Sequence, residues 1–354
     1  LLEESFPNIL VESCIKEYKE DIMPAEVDSM FWTGQVPWHG LGTELDNPAT
    51  SEEAIIAAGL DWEVKCGDIV VSDKEGPIEI PNHYCTVRMD NRVPLGIVGR
   101  LYTPVQNKEA FGFFDSIVGE KKAIYHVAGA LGKGETIWIL AKLPEDIRIT
   151  GTDDIINKYL LLTNKHDGTM SLRMFFTPIR VVCQNTLSAA MSVRKGGEGI
   201  SLRHFPDIHK KAELARRALG IALDYYRDLG EAFNALARYQ VKQEWLDTYI
   251  DAVMPSPPEK EPSTRLLNIR EGMKARFESA SNSLPGIKGT AWAAYNCVTE
   301  YVDHFRKVPK MEVDKTRRLE SIWIGSGAMI KERALGIALQ MIDSNGMPLV
   351  SLEG

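Results

Sequence analysis

The chain has 354 residues, 44% of them hydrophobic and 25% charged, with a formal net charge of −8. That is the composition of an ordinary globular protein with a sizeable core, long enough for two domains. It excludes a uniformly basic nucleic-acid binder, and no apolar run approaches the ~18 residues a membrane span needs.

Residues 1–30 are acidic and weakly periodic and read as an N-terminal arm with one short helix. The opening LLEESFPNILVESCIKEYKED has neither a basic n-region nor a long apolar stretch, so a signal peptide is not expected. Phe31 to Leu45, FWTGQVPWHGLGTEL, combines glycines, a proline and two tryptophans and predicts an ordered loop pinned by aromatic burial. SEEAIIAAGL predicts a short helix with Ser51 as N-cap and Gly59 as its stop. WEVKCGDIVV, HYCTVRM and PLGIVGRLYT predict strands, with a hairpin turn at Asp90-Asn91. Asn107 is expected to cap a helix whose Ala110, Phe111, Phe114 and Val118 share one face. AIYHVAGAL and ETIWILAKL predict a hairpin about Gly132-Lys133-Gly134.

KYLLLTNK and TMSLRMFF predict a further hairpin about Asp167-Gly168. Arg180 to Met191 is expected to be a helix. After Pro206 the chain becomes helical, as one long helix or two in series, with a Pro-rich break at 255–262 and helices at 264–282, 289–305 and 315–342. The fold class expected is α+β: an antiparallel, hairpin-rich sheet with packed helices, followed by an all-α C-terminal region. The expected division is a 1–30 arm, a 31–205 core domain and a 206–354 helical domain.

The charge is uneven. Residues 1–157 hold 13 Lys+Arg against 27 Asp+Glu, a net of −14; residues 158–217 hold 11 against 4, a net of +7; the remainder is near neutral at −1. The basic segment reads either as a polyanion-facing surface or as a solvated face paired with the acidic N-terminal part.

Catalytic readings are weak. Lys165, His166 and Asp167 are consecutive, so strand alternation sends neighbours to opposite faces. Cys183 with a distant His is a possible hydrolase nucleophile, but VVCQNTL resembles no nucleophile signature. The five cysteines form no CxxC pair, and the histidines lack metalloprotease spacing, so reduced thiols and no metal are expected. GALGKGET is not a phosphate loop, and no cofactor is expected. The remaining candidates are Lys165, Arg173, Arg180, Arg194, Lys195 and Arg203 as phosphate contacts, with His166 and Asn185 as secondary polar contacts. Phe175, Phe176 and Phe205 are interleaved with them, a combination suited to single-stranded nucleic acid.

PWHGLGT (37–43), YTPVQNKEAF (102–111), YLLLTNKHDG (159–168), FTPIRVVCQNTL (176–187), GTAWAAYNCVTEYVDH (289–304) and the RLESIWIGSGAMIKERAL run (318–335) resemble the phage/plasmid-like protein family, domain of unknown function 932. Its members look like mobile-element DNA-metabolism proteins. The hairpin–helix core is also similar, at fold level, to single-strand annealing proteins. That resemblance implies ATP-independent binding and annealing of single-stranded DNA by a homo-oligomeric ring or filament in the cytoplasm of a bacterial host. The other readings are a structural or regulatory interaction factor, with aromatic anchors at Trp292–Tyr301 and Trp323, and a hydrolase using Cys183.

Overall fold

Alternation along the strands organises the molecule. The computed structural model describes residues 27–33, 43–45, 47–72, 74, 76–118, 122–182, 185–186, 200–201, 208–307 and 321–344. One sheet of nine strands contains β1 (Val27–Thr33), β2 (Thr43–Leu45), β6 (Ile124–Leu131), β7 (Thr136–Lys142), β8 (Ile147–Arg148), β9 (Ile155–Lys165), β10 (Arg173–Arg180), β11 (Asn185–Thr186) and β12 (Ile200–Ser201). Its spatial order is β11-β10-β9-β7-β6-β1-β2, with β12 on β10 and β8 on β9. All pairs are antiparallel except β1 with β2. A second sheet, β3 (Val64–Ser72), β4 (Pro77–Arg88) and β5 (Val93–Gly99), has three strands in chain order.

The large sheet is buried on both faces, so its central strands read as continuous apolar runs rather than alternating ones. Phe31, Ala128, Ile139, Leu160, Leu162, Met174 and Phe176 look into the main core. Their neighbours Met30, Trp32, Val127, Trp138, Leu140, Leu161 and Phe175 form a separate cluster on the other face, against which Trp323 and Ile324 pack.

The helices are α1 (Ser51–Ala57), α2 (Asn107–Val118), α3 (Ile208–Arg238), α4 (Gln243–Val253), α5 (Thr264–Phe277), α6 (Ala291–Glu300) and α7 (Ser326–Asp343), with a π turn at Tyr301–Phe305. The long α3 is pinned to β9 by Tyr226, whose hydroxyl donates to the Tyr159 carbonyl at 2.5 Å and accepts from the Tyr159 amide at 3.2 Å. The main core takes in residues from Phe31 to Met341 without a break at 205/206, so strands and C-terminal helices share one interior. The architecture is α+β with an all-α C-terminal region.

Several local expectations are corrected. Val27–Thr33 is a strand inside the large sheet, so the boundary expected at 30/31 cuts through β1. The N-cap of α1 is Thr50, whose hydroxyl accepts from the Glu53 amide while Glu53 accepts from the Thr50 amide. Asn107 is not a cap: its side chain is buried and bonds across to Leu60 and His166. The helix expected over Arg180 to Met191 does not start where it should. Backbone pairing with Asn157 and Ile156 carries β10 through Ile179 and Arg180, and Asn185–Thr186 is a strand on its far side. Residues 183–184 and 187–191 of that stretch, and the loop 34–42, lie outside the described residues.

Candidate nucleic-acid interface

The register of β9 with β10 sorts the sequence-predicted residues. Thr163 is opposite Arg173, so Lys165 and Arg173 fall on the face that carries Leu161 and Phe175, at one end of the sheet. His166 and Arg180 are on the opposite parity and point into the main interior. Lys165 and Arg173 are half-buried; His166 and Arg180 are fully buried. The structure therefore corrects the assignment of His166 and Arg180 as surface contacts. Both are structural.

His166 directly follows β9 and meets the small sheet. Its Nε2 is 2.9 Å from Asn107 Oδ1, its Nδ1 3.4 Å from Asn164, and its ring meets Trp62 edge-on at 5.4 Å. Its carbonyl accepts from Thr86 Oγ1 at 2.8 Å. Burial pushes its pKa down to about 4, with Asp167 opposing weakly, so the ring is neutral near pH 7. The neighbouring turn is equally tight. Gly168 has φ +79°, and a Cβ on Gly96 of β5 would lie 2.5 Å from the Asp167 Cα. Asp167-Gly168 thus serves as a dock for the small sheet as well as a turn.

Arg180 closes a buried polar network between the sheet and the helices. Its Nε is 2.7 Å from Asp154 Oδ2, Nη1 donates to Asn282 Oδ1 at 2.7 Å, and Nη2 donates to the Ser281 carbonyl at 2.8 Å. Trp292 donates to the same Asp154 oxygen, and Glu300 accepts from Ser279, Ser281 and Asn282. Trp292 and Tyr295 are wholly buried, which makes them core rather than docking anchors. Trp323 packs on Trp138 at 5.1 Å.

Of the other expected contacts, Asn185 is placed only by its backbone, opposite Arg180 in the β10–β11 register. Arg194, Lys195, Arg203 and Cys183 lie outside the described residues. The pairing of β12 with β10 nevertheless sets Ser201, two positions before Arg203 in the chain, opposite Arg173. Lys158, a further cation of the basic segment, is buried, and its pKa is lowered by burial.

Among the described residues no group of three His, Cys, Asp or Glu side chains converges as a metal site, and no helix is long and apolar enough to cross a membrane. Cys297 is buried, Cys85 half-buried and Cys66 exposed. A second basic locus, which sequence reading missed, lies in the helical region around Arg265, Arg306 and Lys307. Its only sequence signal is the pair Arg306-Lys307 directly after the aromatic YVDHF segment.

No curated protein and no solved structure matches the chain. A family model described as "Domain of unknown function (DUF932)" matches residues 94–323, from β5 to Trp323. That is well over half of the chain, and the match runs through the large sheet, α3 and the helices behind it; the chain therefore belongs to the DUF932 family of unknown function.

Proposed function

We propose that this chain is a DNA-metabolism protein of a phage or plasmid that binds and anneals single-stranded DNA without ATP, as a homo-oligomeric ring or filament in the bacterial cytoplasm. The observation that carries this reading is the convergence at one sheet end. Lys165 and Arg173 share a face there, and β12, which lies in the chain between Arg194-Lys195 and Arg203, pairs with Arg173. Lys165 and Arg173, eight positions apart in sequence, thus share one end of the sheet, where β12 also pairs. Phosphates along a strand need several such charges in a row, and neutralising them releases counterions. The net +7 of residues 158–217 supplies that charge in an otherwise acidic chain.

The test is a titration of a mixed-sequence oligonucleotide at rising salt, with annealing of complementary strands followed in the absence of ATP. Affinity should fall with salt at a log–log slope of about −0.7 per phosphate neutralised. The double variant R194A/K195A, and separately R173Q, should weaken binding about tenfold and flatten that slope. Absence of binding at low salt, or unchanged affinity in R194A/K195A, refutes the proposal.

A further inference from the structure

We infer that the cavity between α5 and the Tyr301–Phe305 π turn binds a nucleoside phosphate. The cavity measures about 710 Å³, within the range of sites that enclose small ligands. Three cations line it: Arg265 from α5, and Arg306 and Lys307 immediately after the π turn. Among the described residues no carboxylate lines it, and none pairs with these three side chains.

Arg306 is the most telling of them. It is half-buried, and among the described residues its guanidinium is held by the neutral hydroxyls of Ser321 and Ser326, at 3.1 Å each. Burial lowers its pKa, and the like charge of Arg265 pushes the same way, against Tyr301. A partly desolvated cation facing another cation is unfavourable until an anion arrives. A guanidinium fork matches a phosphate through two parallel N–H donors.

The rest of the lining suits a planar base. Tyr301 and Phe305 contribute rings, and Met254, Met273 and Ile330 an apolar floor. Phe305 has the Arg276 guanidinium over its ring, 4.2 Å from the centre, yet it remains 49% exposed, and that accessible remainder is the surface a base can stack on. The Asn268 amide offers a donor and an acceptor for a base edge. The chain also keeps this space open. A Cβ on Gly272 of α5 would lie 2.5 Å from the Tyr301 ring, so glycine lets that ring rest against the helix instead of filling the cavity. π turns recur at functional sites because their extra residue redirects side chains.

This site does not depend on the sheet-end interface, and failure of strand annealing leaves it standing. Calorimetric titration of the full chain with deoxyadenosine 5′-monophosphate (dAMP), deoxyadenosine and inorganic phosphate tests it. dAMP should bind at least about tenfold more tightly than either fragment, since base and phosphate contacts combine. R306Q should abolish binding. The variant R265Q/K307Q, which changes two exposed side chains, should weaken it about tenfold at unchanged Tm and carries the test if R306Q does not fold. Competition of dAMP by a 5′-phosphorylated oligonucleotide identifies a strand end as the source; lack of competition identifies the free nucleotide. No dAMP binding, equal affinity for inorganic phosphate, or dAMP affinity unchanged in R265Q/K307Q overturns the inference.

Discussion

Arg180 and Asp154 meet at 2.7 Å with both side chains fully buried, and their pair is the joint between the large sheet and the helices behind it. Asp154 precedes β9 and Arg180 ends β10, so the two ends of one hairpin meet at this joint. The helical side answers with Trp292, Asn282 and the Ser281 carbonyl. Two charges inside a core are tolerated only when each has a partner and the remaining donors are satisfied.

Removing either partner breaks the ion pair inside the core. R180M and D154L should each lower stability by about 3–5 kcal/mol, and the double variant should lose less than the sum. Urea unfolding measures this. Affinity of the folded fraction for single-stranded DNA should be unchanged, because Arg180 has no surface to offer. Weakened DNA binding at intact stability would return Arg180 to the interface.

His166 gives the fold a pH limit. Its folded pKa of about 4 lies below the unfolded value near 6.5, so between those values the unfolded chain holds a proton that the folded chain lacks. Stability is complete above pH ~6.5, falls as the pH drops towards 4, and then stops changing on this account, with a total loss of about 3 kcal/mol. His126, half-buried against Tyr159 and also pushed down to about 4 by burial, adds in the same direction. Thermal melts between pH 4 and 7 should show the slope, and H166Q should reduce but not abolish it. An identical slope in H166Q would mean the ring is not the titrating group.

Much of this was legible in the sequence. Asp-Gly and Gly-Lys-Gly between β-rich runs marked two hairpins of the large sheet, and Pro255–Pro262 marked the break between α4 and α5. What failed was what depends on partners distant in the chain. Arg180 followed a proline and preceded a helical-looking stretch, yet pairing with β9 kept it in a strand. His166 and Arg180 looked like surface cations because the acceptors that bury them, at Asn107, Asp154 and Asn282, are 26 to 102 positions away. Alternation did predict that Lys165 and His166 diverge, and the structure puts them on opposite faces. The cavity at Arg306 was invisible because α5, the π turn and α7 contribute its walls separately.

Gly96 marks where the small sheet rests on the β9–β10 turn. A Cβ there would stand 2.5 Å from the Asp167 Cα and 2.9 Å from its carbonyl oxygen, both backbone atoms that cannot swing aside. G96A should therefore cost more than the usual glycine substitution, roughly 2–3 kcal/mol by analogy with overpacked cores. Protection of the β5 amides against hydrogen exchange should fall first. Wild-type stability in G96A would show that the two sheets are not in contact at this point.

Lys331 and Asp303 form the second buried pair, at 2.8 Å, and this one holds the π turn against α7. Burial lowers the lysine pKa while Asp303 opposes that shift. K331M alone removes the cation that faces the buried Asp303 and should cost about 3–5 kcal/mol. K331M/D303L removes both charges, and by the same reasoning should recover most of that loss. Stability and ligand binding should then part company. The double variant should melt near the wild type, yet its π turn, which carries Tyr301 and Phe305, has lost its ion pair with α7, so its affinity for dAMP should drop. Recovery of both properties together would show that packing alone positions the turn, and that the ion pair contributes nothing to the shape of the cavity.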